Sequence, residues 1–91
     1  MNSKNNLFMF YGKECPHCEK MLPLVDKLER ELSTTVQKLE TWHDEENEEL
    51  RKKCDISSCG GVPYFFNTKN ENFICGEADY NDLLVWAKSD T

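Results

Sequence analysis

The chain has 91 residues, the size of one small domain with a modest hydrophobic core. Acidic residues outnumber basic ones by 17 to 11, which gives a formal charge of −6 and argues against a nucleic-acid or anionic-membrane partner. No segment approaches the ~18 apolar residues that span a bilayer, and residues 1–6 lead into too short an apolar run for a signal peptide. We therefore expect a single cytoplasmic domain over residues 1–91 that acts as a monomer.

In the first third of the chain, an apolar strand is predicted to lead into an amphipathic helix. Residues 7–11 are continuously apolar, as in a strand buried on both faces, and Gly12 ends the run. The helix is predicted to begin at Cys15, with Pro16 in its first turn and Pro23 inside it, where a kink is expected. Its buried face is predicted from spacings of four, three and four residues: Met21, Val25, Leu28 and Leu32.

The middle of the chain predicts a strand and a surface helix. Residues 35–42 are β-prone but poorly patterned. Asp44 is a suitable N-cap for the helix that follows, whose acidic residues crowd its start and whose basic residues crowd its end, in agreement with the helix dipole. Because Leu50 and Cys54 are almost its only apolar residues, we expect the helix to lie on the surface.

The last third predicts a hairpin and a final helix. A loop over residues 57–61 precedes a strand over 62–67, and a short turn leads to a strand over 73–75. Asp79 can cap the last helix, whose apolar face is predicted to consist of Tyr80, Leu83, Leu84 and Ala87, with Trp86 at its border. The predicted order β-α-β-α-β-β-α indicates an α/β class with a mixed sheet.

Five cysteines make an odd set, which favours catalytic, metal-binding or buried thiols over a secreted disulfide scaffold. Cys59 is a candidate accessory thiol, either regulatory or bonded to Cys54. Cys75, on a strand, is expected to be a small buried hydrophobe.

The pair Cys15 and Cys18 carries the predicted chemistry. At a helix N-terminus, unpaired N–H groups and the dipole stabilise the thiolate that attacks disulfides. Cys18, one turn further on, can then attack the mixed disulfide at Cys15 and release the product. Pro16, His17 and Lys13 are candidates for tuning the thiolate, His17 and Lys13 through positive charge.

Other interpretations of these residues stay open at this stage. A Cys-x-x-Cys pair is also half of a zinc site, for which Cys54 and Cys59 would supply the other half at a loose spacing. The strand-to-helix context favours the redox interpretation, with no metal. A redox-inert binding domain is a further alternative, since a fold does not fix a function.

Three motifs make the chain resemble the thioredoxin/glutaredoxin superfamily: Cys15-Pro16-His17-Cys18, Gly61-Val62-Pro63 and Gly76. The resemblance implies a minimal thioredoxin fold, a four-stranded mixed sheet flanked by helices. It also implies a cis Val62–Pro63 bond, with Pro63 against the active-site cysteines and the Val62 backbone bonded to an extended substrate.

The sequence also departs from the thioredoxin pattern. Glu14 stands where thioredoxins have a tryptophan, and Met9 where they have the aspartate that deprotonates the second cysteine, which leaves Glu14 or water as proton acceptor for Cys18. The Pro-His dipeptide is similar to that of strongly oxidising disulfide-forming enzymes.

The expected function is thiol–disulfide exchange with protein or small-molecule disulfides, without an organic or metal cofactor. The electrons would come from a reductase or from glutathione. The alternatives are a glutathione-dependent glutaredoxin-type enzyme and a metal or cluster carrier.

Overall fold

A computed structural model describes residues 7–56 and 58–88. The elements follow the predicted order, which is confirmed: β1 (Leu7–Tyr11), α1 (Pro16–Leu32), β2 (Val36–Glu40), α2 (Glu45–Cys54), β3 (Tyr64–Asn67), β4 (Phe73–Cys75) and α3 (Tyr80–Lys88). Residues 1–6, which precede the first predicted strand, lie outside the described residues, as does Ser57 of the predicted loop. No helix in the described ranges has the length and apolar character needed to cross a membrane.

The four strands form one mixed sheet in the order β2-β1-β3-β4. Strand β1 runs parallel to β2 and antiparallel to β3. Strand β4 lies antiparallel to β3 and is an outermost strand of the sheet. In this register Phe10 pairs with Tyr64, and Tyr64 pairs with Cys75 on its other side. The carboxyl ends of β1, β2 and β4 therefore meet the amino end of β3 at one edge of the sheet.

Helix α1 follows its apolar spacing. Cys15 is its N-cap residue, and the helix continues through Pro23 to Leu32, after which Ser33 adopts a left-handed conformation with φ of 51°. The buried face is made of Cys18, Met21, Val25 and Leu28. Leu32, predicted to complete this face, is only half-buried.

Arg51, in the helix predicted to lie on the surface, and Trp86, predicted to border the apolar face of α3, are both buried. Arg51 of α2 is buried because its guanidinium donates hydrogen bonds to the carboxylates of Glu48 and Asp55, which supply the pairing that a buried charge needs. Trp86, expected to border α3, is instead central to it, with its ring edge-on to Phe65 at 5.4 Å between centroids. Both predictions were wrong, since neither residue's partners were visible in its local pattern.

The cysteine pairing also differs from the predictions. Cys59 forms a disulfide with Cys75, across 16 residues of sequence and 5.7 Å between Cα atoms, while Cys54 is a buried free thiol. Cys75 is exposed rather than a buried hydrophobe. The physical reason is the pairing of Cys75 with Tyr64, which brings the end of β4 alongside the loop that enters β3.

Phe65 supports the largest cluster of the core, and we expect its truncation to destabilise the fold strongly. It is fully buried and packs against Trp86. Phe65→Ala should lower the free energy of unfolding by about 3–5 kcal/mol, measured by urea denaturation. The matched control is Phe73→Ala, because Phe73 is 42% exposed and should lose much less. Equal losses in the two variants would contradict this account of the core.

Candidate active site

The residues singled out in the sequence converge at the edge of the sheet where β1 ends and β3 begins. The pairing of Phe10 with Tyr64 brings the turn after β1 close to the loop before β3. That turn leads into Cys15 and Cys18, and the loop ends in Val62 and Pro63. The candidate redox pair and the candidate substrate-binding residues therefore lie at the same end of the molecule.

Cys15 and Cys18 are free thiols at the start of α1. The backbone N–H of Cys18 donates a hydrogen bond of 3.2 Å to Cys15 Sγ, so the first cysteine caps the helix that carries the second. Cys15 is 3% exposed and Cys18 is 1% exposed. Cys15 is buried because its side chain caps the helix and accepts a hydrogen bond from the backbone of the first turn. Pro16 and His17, by contrast, are exposed on the first turn.

The Cys18 thiol is held in its protonated form. Burial raises its pKa from 9.0 to about 12, and the neighbouring Cys15 adds to the shift by a hydrogen bond and by charge. Met9, which stands where thioredoxins have an aspartate, is fully buried. Glu14, the candidate proton acceptor, is directed to His43 Nε2 at 3.3 Å. That candidate role stays a prediction.

An open groove lies at the same end of the molecule as the redox pair. It is lined by His17, Val62, Pro63, Gly76 and Glu77. The Val62–Pro63 bond is cis, the form that the resemblance implies, and the Gly76 N–H donates to the Pro63 carbonyl at 2.8 Å. His17 Nδ1 pairs with the Glu77 carboxylate across the groove, and this hydrogen bond lowers the pKa of Glu77. The positive charge that His17 can supply is therefore shared with an acid.

Glu40, at the end of β2, is a site residue that the sequence analysis missed. Its carboxylate accepts hydrogen bonds from the backbone N–H groups of Lys13 (3.0 Å), Trp42 (3.2 Å) and His43 (2.8 Å), and from the His43 ring (3.0 Å). Desolvation acts to raise the pKa of Glu40, but these hydrogen bonds outweigh it and lower the value to about 2. Glu40 thus ties the turn before Cys15 to β2. Lys13, predicted to tune the thiolate, enters this network through its backbone.

Trp42 covers the other side of the same turn. A Cβ atom at position 12 would overlap the Trp42 ring, so the close approach of this ring requires Gly12. Trp42 is 53% exposed. The exposed indole of Trp42 therefore lies against the active-site turn, although this tryptophan follows β2 and does not occupy the position before Cys15.

The metal-binding alternative would need several potential ligands close together. Within residues 7–56 and 58–88, no three His, Cys, Asp or Glu side chains are grouped so that they could hold a metal ion. Cys59, which the alternative paired with Cys54, is bonded to Cys75.

The sequence was found to match a known protein family. The family model described as Thioredoxin matches residues 1–89, nearly the whole chain. No curated protein matches the sequence.

The raised pKa of Cys18 predicts a large difference in reactivity. At pH 8, a thiol with a pKa of about 12 instead of 9.0 forms about a thousandfold less thiolate. We expect iodoacetamide at this pH to alkylate Cys15 of the reduced protein well before Cys18, as measured by peptide mass mapping. In urea Cys18 should react like an ordinary thiol. Equal rates at Cys15 and Cys18 in the folded protein would contradict the protonated state described above.

The lowered pKa of Glu40 predicts a pH dependence of stability. A carboxylate whose pKa falls from 4.5 to about 2 on folding stabilises the protein above pH 4.5, and this contribution is lost as the pH falls towards 2. Glu40→Gln should therefore flatten the decline in the free energy of unfolding over this range, measured by urea denaturation. Glu46→Gln, at an exposed glutamate in the first turn of α2, is the control. A wild-type slope in Glu40→Gln would argue against the network.

Proposed function

Because the chain belongs to the thioredoxin family, we propose that it is a thiol–disulfide oxidoreductase in which Cys15 is the nucleophile and Cys18 the resolving thiol. Family membership supports oxidoreductase activity of this general type. The observation that carries the residue assignment is the Cys18 N–H donated to Cys15 Sγ at the start of α1. This hydrogen bond and the helix N-terminus both favour negative charge on the Cys15 sulfur.

In the first step the Cys15 thiolate attacks one sulfur of a substrate disulfide. A Cys15–substrate disulfide forms, the substrate S–S bond breaks, and the other substrate sulfur leaves as a thiolate that takes up a proton. Cys15 is nearly buried, and in this scheme the substrate sulfur reaches it from the side of the groove, where the Val62 backbone would bind an extended chain.

In the second step Cys18 attacks the Cys15 sulfur, which releases the second substrate thiol and leaves a Cys15–Cys18 disulfide. The Cys18 proton passes to water or to the departing thiolate. Part of the raised pKa of Cys18 comes from the charge and hydrogen bond of Cys15. Both contributions disappear once Cys15 is bonded to substrate, so Cys18 becomes more acidic when its thiolate is needed.

The reverse reaction uses the same residues, and the reduction potential decides the direction. A value near −270 mV would indicate a reductase, and one near −120 to −180 mV an oxidase or isomerase. His17, Pro16 and Lys13 remain the proposed tuning residues, and the pairing of His17 with Glu77 limits what His17 contributes.

We propose that disulfide-bearing proteins are the substrates and that no organic or metal cofactor is required. The proposed electron donor is a reductase or glutathione, in the cytoplasm. Reduction of β-hydroxyethyl disulfide by glutathione would identify the glutaredoxin-type alternative.

The assignment predicts that Cys15→Ser abolishes the reduction of insulin disulfides, measured by turbidity with dithiothreitol as the donor. The reason is that a hydroxyl cannot form the mixed disulfide. Cys18→Ser should instead accumulate that intermediate, which mass spectrometry detects. Cys54→Ala is the matched control, since Cys54 is a buried free thiol outside the pair, and it should keep nearly full activity. Insulin reduction by Cys15→Ser at the wild-type rate would refute the proposed function.

A further inference from the structure

The Cys59–Cys75 disulfide has no part in the reaction proposed above, yet it borders the groove. Cys59 lies four residues before Pro63, and Cys75 immediately precedes Gly76. Pro63 and Gly76 both line the groove and are joined by a backbone hydrogen bond of 2.8 Å. The disulfide therefore links the two chain segments that form one wall of the groove.

The two cysteines of this disulfide are not equally exposed. Cys75 ends the edge strand β4 and is exposed, whereas Cys59 is half-buried. An exposed disulfide offers a sulfur to an attacking thiolate, and disulfides of this kind are more often labile or regulatory than buried ones. Cys54, the buried thiol beneath the sheet, has no such access.

The loop that carries Cys59 has a second anchor, independent of the disulfide. The Asp55 carboxylate accepts hydrogen bonds from the N–H groups of Cys59 (2.7 Å) and Gly60 (2.8 Å), and it is paired with Arg51 at 3.1 Å. Cys75 is held separately by the pairing of β4 with β3. If the S–S bond breaks, the two thiols therefore stay near each other, at a high effective concentration that favours its re-formation.

We propose that Cys59 and Cys75 form a second redox site, a disulfide that small thiols reduce reversibly in the folded protein and whose oxidised form holds the groove in its substrate-binding shape. The proposed effect of this disulfide on substrate binding rests on the function proposed above, whereas its reversible reduction does not. Breaking the bond removes the covalent link between the loop before Pro63 and the end of β4, and leaves this wall of the groove held by hydrogen bonds. Reduction should therefore weaken substrate binding more than it slows the attack by Cys15.

The exchange balances with a small thiol such as glutathione as the reductant. A thiolate attacks Cys75 Sγ, a Cys75–thiol disulfide forms, and the Cys59–Cys75 bond breaks with its electron pair and a proton going to Cys59. A second thiol then attacks the mixed disulfide and releases Cys75 as a thiol. Two small thiols are oxidised to one disulfide, and the protein gains two electrons and two protons.

The first test follows the disulfide itself and needs no enzymatic activity. A Cys15→Ser/Cys18→Ser variant is equilibrated with graded ratios of reduced to oxidised glutathione, quenched in acid, alkylated and mapped by mass spectrometry. We expect Cys59 and Cys75 to cycle together while circular dichroism shows a folded protein. We also expect the amide NMR signals of Val62, Gly76 and Glu77 to shift on reduction, while that of Gln37 on the far edge strand stays in place.

The second test measures the groove without any reductant. In a Cys18→Ser protein, Cys15 attacks a peptide disulfide that releases a chromogenic thiol. Adding Cys59→Ala/Cys75→Ala should raise the half-saturating peptide concentration about fivefold or more, the lower end of typical coupling between linked sites, with little change in the limiting rate. Cys18→Ser/Cys54→Ala is the matched control and should behave like Cys18→Ser alone.

The outcomes separate this inference from the proposed function. If Cys15 does not react with the peptide, the proposed function fails, while reversible cycling and shifted groove signals would still support the second redox site. The inference is overturned if glutathione reduces the Cys59–Cys75 bond only in denaturant. It is also overturned if reduction leaves the amide NMR signals of Val62, Gly76 and Glu77 unshifted. The inference is also overturned if the folded Cys18→Ser/Cys59→Ala/Cys75→Ala protein has the same half-saturating peptide concentration as Cys18→Ser.

Discussion

The pairing of Phe10 with Tyr64 determines where every part of the site lies. Because β1 runs antiparallel to β3, the turn that leaves β1 meets the loop that enters β3. The same register aligns Cys75 with Tyr64, so the end of β4 arrives at that edge too. The parallel pairing of β1 with β2 adds Glu40, which lies opposite Tyr11. A slip of one residue would turn the side chains of β1 to opposite faces and dismantle the site together with the core.

Around this edge, carboxylates hold the neighbouring segments in place by accepting hydrogen bonds from N–H groups. Glu40 binds the turn before Cys15, Asp55 binds the loop before Pro63, and Glu77 binds the ring of His17. The net charge of −6 is therefore partly structural, since Glu40, Asp55 and Glu77 are among the acids that produce it and hold segments around the active site. Each of these loops depends on a contact with a different element, which explains how such short segments keep a defined geometry.

Much of the fold and part of the candidate site could be predicted from the sequence, and the exceptions have physical causes. The bounds of β1, the order of the elements and the position of the Cys15–Cys18 pair follow from local apolar runs and caps. Glu40 could not be recognised, because a glutamate at the end of a weakly patterned strand has the pattern of a solvated charge. The partner of Cys59 was equally hidden, since with three cysteines left over only the β3–β4 register selects Cys75. Arg51 was misplaced because its burial depends on acids on both sides of it.

The contact between Gly12 and Trp42 has a consequence for how the protein can be observed. The indole is partly exposed and rests on the turn that leads to the redox pair, while the other tryptophan, Trp86 of α3, has its side chain buried in the core. A movement of the turn would alter the surroundings of Trp42, whereas those of Trp86 depend on the packing of the interior. The emission of Trp42 provides an unlabelled optical readout of the turn, with Trp86 as an internal reference in the same molecule.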